Sequence, residues 1–256
     1  MIDMHCHLDR YPNPKLIAGK AMRAGVTVIA VTNLPSHFRD GLMPVSQLAN
    51  VRLSLGLHPM LAPHSEMERR LFSELLPKTS YVGEIGLDFG KEGSATREAQ
   101  IDSFSFVLRQ VHKTGKVLSI HSRKAEHVTL DLLDEHNVRA ATFHWFTGDD
   151  SGLRRVIRDG HYVSINPAML RSNRGRDTIR QMPKERVLFE TDGPYCKGPK
   201  GPAEPWEVTR VALQVSQLWA CSVEAATTQV NQNFCQMLRD RQSYGNTPYF
   251  AKRTDR

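Results

Sequence analysis

With only four cysteines in 256 residues, Cys6, Cys196, Cys221 and Cys235, and no CxxC spacing among them, the chain has no disulfide or thiolate framework to organise a fold, and they read as reduced thiols. Long apolar runs are also missing. None approaches the roughly 20 residues that a bilayer-crossing helix needs, so no membrane contact is expected. The apolar stretch from Met1 to Leu8 is interrupted by Asp3, His5 and His7 and has no basic lead-in, unlike a secretory leader, and a cytoplasmic location is the expectation. Internal repeats and low-complexity tracts are absent. Acidic residues are in deficit, 27 against 34 Lys and Arg, and the formal charge of +7 favours polyanionic partners without saying anything about fold.

What the chain does have is alternation. β-branched and apolar runs at Ile2 to His7, Val26 to Thr32, Val51 to Leu57, Tyr81 to Leu87, Val117 to His121, Ala140 to His144, His161 to Asn166 and Val187 to Glu190 read as strands buried on both faces. Helix-like segments fall between them: Pro14 to Arg23, Met67 to Leu76, Arg97 to His112, His127 to His136, Leu153 to Arg158 and Arg176 to Met182, with Glu204 to Trp219 and Val223 to Leu238 at the end. Eight strands of this kind predict an α/β fold, a TIM-type (β/α)8 barrel, over residues 1–240 as one domain. A doubly wound open sheet is the competitor. Residues 241–256 are polar, basic and aperiodic, and are expected to form a surface tail without a core of its own.

Five of the apolar runs end in metal-type ligands. His5 and His7 flank Cys6 on a strand and so project from one face, which lets both imidazoles reach one ion. Glu84 sits in Val82-Gly83-Glu84-Ile85-Gly86-Leu87-Asp88, where an unpaired buried charge is costly. A salt bridge to an arginine is one way to satisfy it, and a carboxylate shared between two metals is the other. His121 and His144 close their strands; each alone reads as a hydrogen-bonded core histidine, and together they suit a second ion. Asp192 follows the last strand, which in a closed barrel lies next to the first. It fits a ligand and proton acceptor there, or a turn aspartate before Gly193-Pro194. Only a parallel barrel brings these six side chains together, and six imply two cations.

Chain-wide, the sequence resembles the TatD family of metal-dependent hydrolases and deoxyribonucleases. The resemblance rests on Asp3-Met4-His5-Cys6-His7-Leu8, Gly56-Leu57-His58-Pro59, Gly83 to Asp88, His121-Ser122-Arg123, His144-Trp145-Phe146-Thr147-Gly148 and Glu190-Thr191-Asp192-Gly193-Pro194-Tyr195, with Asn231 to Leu238 matching more loosely. It implies one metal on His5, His7, Glu84 and Asp192 and another on Glu84, His121 and His144. Trp145 and Met4 depart from the residues usual at their positions, which marks a divergent member, similar to the QatD component of anti-phage operons. Partner proteins from such an operon would then be expected.

The expected activity is phosphodiester hydrolysis, as a DNA exonuclease, by a water activated between two divalent ions (Mg, Mn or Zn), with Asp192 taking its proton. Single-stranded DNA is the expected partner. The stretch Pro167 to Arg176 follows the seventh strand and carries Arg171, Arg174 and Arg176, which can hold phosphate oxygens or can be a solvated charge run. Arg123, Lys197 and Lys200 also follow catalytic-side strand ends. His58 and Tyr195 are further substrate-contact candidates, and Asp88 is a candidate to orient His58. The same barrel could instead cleave an amide, an ester or an aminoacyl-tRNA, or act as a non-catalytic binding module.

Overall fold

The computed structural model describes residues 1–45, 47–64 and 66–246. Eight strands lie side by side in chain order: β1 (Ile2–Cys6), β2 (Thr27–Val31), β3 (Val51–Leu55), β4 (Tyr81–Gly86), β5 (Val117–His121), β6 (Thr142–His144), β7 (Tyr162–Ile165) and β8 (Val187–Phe189). Every neighbouring pair from β1 to β8 is parallel. Around them run α1 (Pro14–Arg23), α2 (Pro35–Val45), α3 (Glu66–Leu75), α4 (Arg97–Val111), α5 (Glu126–Glu135), α6 (Asp150–Arg158), α7 (Pro167–Arg171), α8 (Asn173–Gln181), α9 (Val208–Leu218) and α10 (Val223–Asn246). A two-strand hairpin, β9 (Lys197–Gly198) with β10 (Gly201–Pro202), follows β8. This is the expected TIM-type (β/α)8 barrel. No helix among the described residues is long and apolar enough to cross a membrane.

The strands are continuous in apolar character because helices cover one face and the barrel interior fills the other. Val28, Ile29, Ala30 and Val31 of β2 are all buried, as are Val117, Leu118 and Ile120 of β5. Each fully buried Val, Ile or Leu contributes about 1.5–3 kcal/mol of transfer free energy. Side-chain caps set the starts of α1, α6, α7 and α8. The Asn13 side chain accepts from Leu16 N–H with Pro14 at the first helical position of α1, and Asn166 does the same for Ala168 and Met169 of α7 ahead of Pro167.

The barrel closes through the segment after β8. Asp192 N–H donates to His5 O (2.9 Å) and His7 N–H donates to Gly193 O (2.8 Å). Below this, the buried Asp3 carboxylate accepts from the backbone N–H and the hydroxyl of Thr191 (2.9 and 2.5 Å). The first and last elements of the sheet are therefore joined where the ligand-bearing residues lie.

Three parts of the chain differ from the expectation. Helix α2 stands between β2 and β3, a place where Gly41 and Pro44 hide the helical pattern. Helical structure, expected only from Arg176, begins at Pro167: the stretch forms α7 and the start of α8, separated by Ser172, whose hydroxyl accepts from Gly175 N–H. Finally, α10 runs past residue 240 to Asn246, because Arg241 is buried and donates to Lys116 O (2.5 Å) and Arg139 O (2.7 Å) at the barrel's lower rim. Residues 247–256 of the expected tail lie outside the described residues.

Candidate metal centre

The C-terminal ends of β1, β4, β5 and β6 and the turn after β8 deliver five of the sequence's candidate ligands and Asp192 to one place. Glu84 is at the middle, 3% exposed, with its two oxygens turned to different neighbours. Oε2 lies 3.2 Å from His7 Nε2 and 3.7 Å from His5 Nε2. Oε1 lies 2.7 Å from His121 Nδ1, 3.0 Å from His144 Nε2 and 3.4 Å from His58 Nε2. Asp192 Oδ1 completes the first group at 3.8 Å from both His5 and His7.

These spacings test whether cations fit. Ligand atoms held about 2.0–2.2 Å from a tetrahedral ion are roughly 3.4 Å apart. His5 and His7 Nε2 are 3.2 Å apart, and their distances to the Glu84 and Asp192 oxygens run from 3.2 to 3.8 Å. In the second group His121 Nδ1 and His144 Nε2 are 3.3 Å apart. Neutral imidazole nitrogens with two carboxylates form a donor set that suits Zn or Mn, and Mg on its oxygen-rich side. Residues present fit two divalent ions, with His5, His7, Glu84 and Asp192 able to hold one and Glu84, His121 and His144 the other. His58 also meets Glu84 and His121 closely enough to join the second group, nearer the cluster than a substrate contact alone requires.

The outer nitrogens of the histidines show how the cluster is held. His5 Nδ1 meets Ser119 Oγ at 2.7 Å, and His121 Nε2 meets Asp88 Oδ2 at 2.8 Å. His144 Nδ1 lies 3.5 Å from Glu190 Oε1. Glu190 is fully buried and accepts from Asn166 Nδ2 (3.0 Å), from Trp145 N–H (3.2 Å) and from the Ser164 hydroxyl. Such outer partners fix ring orientation and the identity of the protonated nitrogen. Asp88, read as a partner for His58, instead meets His121. His7 Nδ1 is buried without a hydrogen-bond partner, and His144 Nδ1 has only the 3.5 Å ionic approach of Glu190. Trp145 (φ 41°) and Asp192 (φ 49°) both adopt the left-handed region, which non-glycine residues seldom do, at the points where β6 and β8 give way to the site.

Burial and charge act in opposite directions on these groups. Glu84 stays well below the usual carboxylate range: burial raises it, but the surrounding histidines, His58 and His144 foremost, outweigh that. Burial, the charge on His144 and to a lesser extent His7 push His5 well down, against the pull of Glu84. His144, whose ring stacks on His5 with centroids 3.9 Å apart, is raised well above its ordinary value by Glu84 and Glu190 despite burial. Burial pushes Asp192 up to about 7.

The substrate-contact candidates divide. Tyr195 is 56% exposed, and its ring stands edge-on to His7 with centroids 4.8 Å apart. Arg123 is exposed, 3.7 Å from Glu92. Arg171 and Arg174 do not act on one place: Arg171 donates to Lys197 O (2.9 Å), whereas Arg174 bonds Gly148 O and lines a separate cavity with Asp150 and Asp177. A larger cavity of about 860 Å³ opens at the opposite mouth, beside Arg52, Lys78 and Lys116, and contains none of the clustered ligands.

Ser119, Glu190 and Asp3 were not singled out from sequence. Glu190 carries the signal that identified Glu84, an acid inside an apolar run, and Ser119 lies two residues before His121, hence on the same strand face.

A family model described as "TatD related DNase" matches residues 2–239. Among known proteins, the human "Deoxyribonuclease TATDN3" is 28% identical over 91% of this chain and 92% of its own. The Escherichia coli K12 protein named "Uncharacterized metal-dependent hydrolase YcfH" is 30% identical over 93% of this chain and 95% of its own. In fold, the chain is similar to the crystal structure of YJJV, a TatD homologue from E. coli K12, with a TM-score of 0.83 and 24% identity over 93% of this chain and 97% of that one. A TatD family hydrolase from Entamoeba histolytica gives 0.81 with 19% identity, covering 93% and 97%.

Proposed function

The chain belongs to the TatD-related DNase family and is a metal-dependent hydrolase; from that premise we propose that it cleaves phosphodiester bonds of single-stranded DNA, from a strand end, with two divalent cations. The observation that carries this reading is the divided carboxylate of Glu84. One oxygen faces His5 and His7 and the other faces His121 and His144, which is what a bridge between two ions requires.

When bound, the two cations supply positive charge that lowers the pKa of a water toward neutrality and offsets the charge growing on the phosphate oxygens. The remaining work belongs to the chain. Asp192, buried beside His5 and His7 at the rim of the cluster, is the carboxylate placed to accept the proton. Asp88 and Glu190 hold His121 and His144 with one nitrogen turned inward. His58 Nδ1 accepts from Met60 N–H (3.2 Å), which leaves Nε2 as the nitrogen presented to the cluster. Tyr195 offers a ring face at the rim, and Arg123 and Arg171 offer guanidinium groups to the backbone, so cleavage has weak sequence preference and strong salt dependence.

The test is elemental analysis of purified protein paired with digestion of end-labelled single-stranded DNA in Mg, Mn or Zn. Two equivalents of metal and stepwise loss of terminal nucleotides are expected. Failure to cut single-stranded DNA or a small phosphodiester in any of the three metals would overturn the reading.

A further inference from the structure

Beside the metal-type cluster lies a concavity of about 230 Å³ whose lining includes Pro167, Arg171, Lys197, Glu207, Arg210 and Gln214. It is assembled from α7, the β9–β10 hairpin and α9. Arg171 uses one N–H to hold Lys197 O, which ties α7 to the hairpin and leaves the rest of its donors for a ligand. Among the described residues, no hydrogen bond or close ion pair holds the Lys197 ammonium or the Arg210 guanidinium to another side chain, and Arg210 feels Glu207 only through longer-range charge. The single acid, Glu207, has Oε2 engaged by Glu204 N–H at 3.2 Å. The arginines of the neighbouring cavity are balanced locally: Arg180 meets Asp177 at 2.8 Å, and Arg174 shares its cavity with Asp150 and Asp177. Three cations against one carboxylate therefore leave a net positive charge in one concave place.

The chain connects that place to the cluster. Cys196 N–H donates to Asp192 O (3.0 Å), folding the segment back so that Lys197 follows a residue in contact with Asp192. Tyr195, two residues before Lys197 and so within about 7 Å of it along the chain, carries the exposed ring that meets His7. An aromatic face between an ion cluster and a cationic hollow is an arrangement that takes an unpaired base with a phosphate on either side.

We propose that Arg171, Lys197 and Arg210 form a second phosphate subsite, which holds the phosphodiester next to the scissile one while Tyr195 stacks the base between them. The proposal rests on the nuclease reading above and adds which substrate it favours: an unpaired strand longer than a dinucleotide, over small diesters and over duplex, whose bases are not free to stack on Tyr195.

The test uses the full chain with its metals and a short fluorescein-labelled oligothymidylate linked by phosphorothioates, read by anisotropy across a sodium chloride series. Arg210→Gln, at an exposed helix position, should weaken binding roughly tenfold and make the log–log salt slope shallower by about 0.7, the value for one lost contact to a single strand. With the same strand carrying ordinary phosphodiester links as substrate, KM should rise while kcat holds. Arg180→Gln, in the neighbouring balanced cavity, should match wild type in slope, and both variants should keep the wild-type Tm. If wild type binds and cuts the strand while Arg210→Gln is indistinguishable from it, the subsite falls and the nuclease reading stands. If wild type neither binds nor cuts, both fall.

Discussion

Replacing Asp88 by Asn exchanges one carboxylate oxygen for an NH₂ group, and the structure says what should follow. Asp88 Oδ1 accepts from Gly90 N–H (2.8 Å), and Oδ2 meets His121 Nε2 (2.8 Å). The asparagine keeps its carbonyl oxygen on Gly90 and therefore turns its NH₂ toward His121. Nε2 must then accept, so the proton moves to Nδ1, the nitrogen that faces Glu84 and the second ion position. Loss of an outer partner of a metal-binding histidine costs about 10- to 100-fold in affinity, equivalent to about 1.4–2.7 kcal/mol. The fold suffers less: a charge-assisted bond is exchanged for a neutral one at a cost of about 1 kcal/mol. Calorimetric titration of metal-free protein with Zn or Mn should show two binding steps. In Asp88→Asn one step should weaken at least tenfold, the other should stay within a few-fold, and urea unfolding should remain cooperative. If both steps stay within twofold of wild type, Asp88 does not set the protonation of His121, and the account of how the site is held is wrong.

Two further perturbations test the scaffold. Gly56→Ala would drive a methyl into Thr32 O and Glu84 N, the acceptor and donor of a 3.0 Å bond that joins the end of β2 to β4 just past the end of β3, so it should cost about 3 kcal/mol in urea unfolding and reduce metal uptake; unchanged unfolding and uptake would refute that tight approach. His161 is buried, and burial foremost pushes it down to about 3, below the 6.5 of an unfolded histidine, so the unfolded chain takes up its proton first. Its stabilising effect is thus complete above pH 6.5 and fades as pH falls toward 3, amounting to about 3 kcal/mol lost by pH 4.5. Denaturant unfolding of wild type and His161→Phe at pH 7 and 4.5 should show that extra loss in wild type alone.

Strand positions were readable because burial on both faces leaves a run such as Val28 to Val31 with no polar interruption, and one boundary, Val117–His121, agrees to the residue. Helix α2 was not readable, since Gly41 and Pro44 weaken the helix propensity of its segment. The inward residues that close β1, β4, β5 and β6 announce themselves by type, an imidazole or carboxylate in apolar surroundings. What sequence spacing cannot give is which atom meets which. That His121 pairs with Asp88, that His58 reaches Glu84, and that Arg171 and Arg174 part company all depend on side-chain direction across elements far apart in the chain. The buried role of Arg241 was hidden for a related reason: its partners are backbone carbonyls of residues 116 and 139, which leave no trace in residue identity.

The joint between Asp192 and β1 gives the molecule a buckle. Because the same few residues fasten the two ends of the sheet and present Asp192 to His5 and His7, any cation that grips them also draws the belt shut. Occupancy and thermal resistance must then rise together with metal concentration, and a chelator acts on the circumference of the whole barrel and not only on its chemistry.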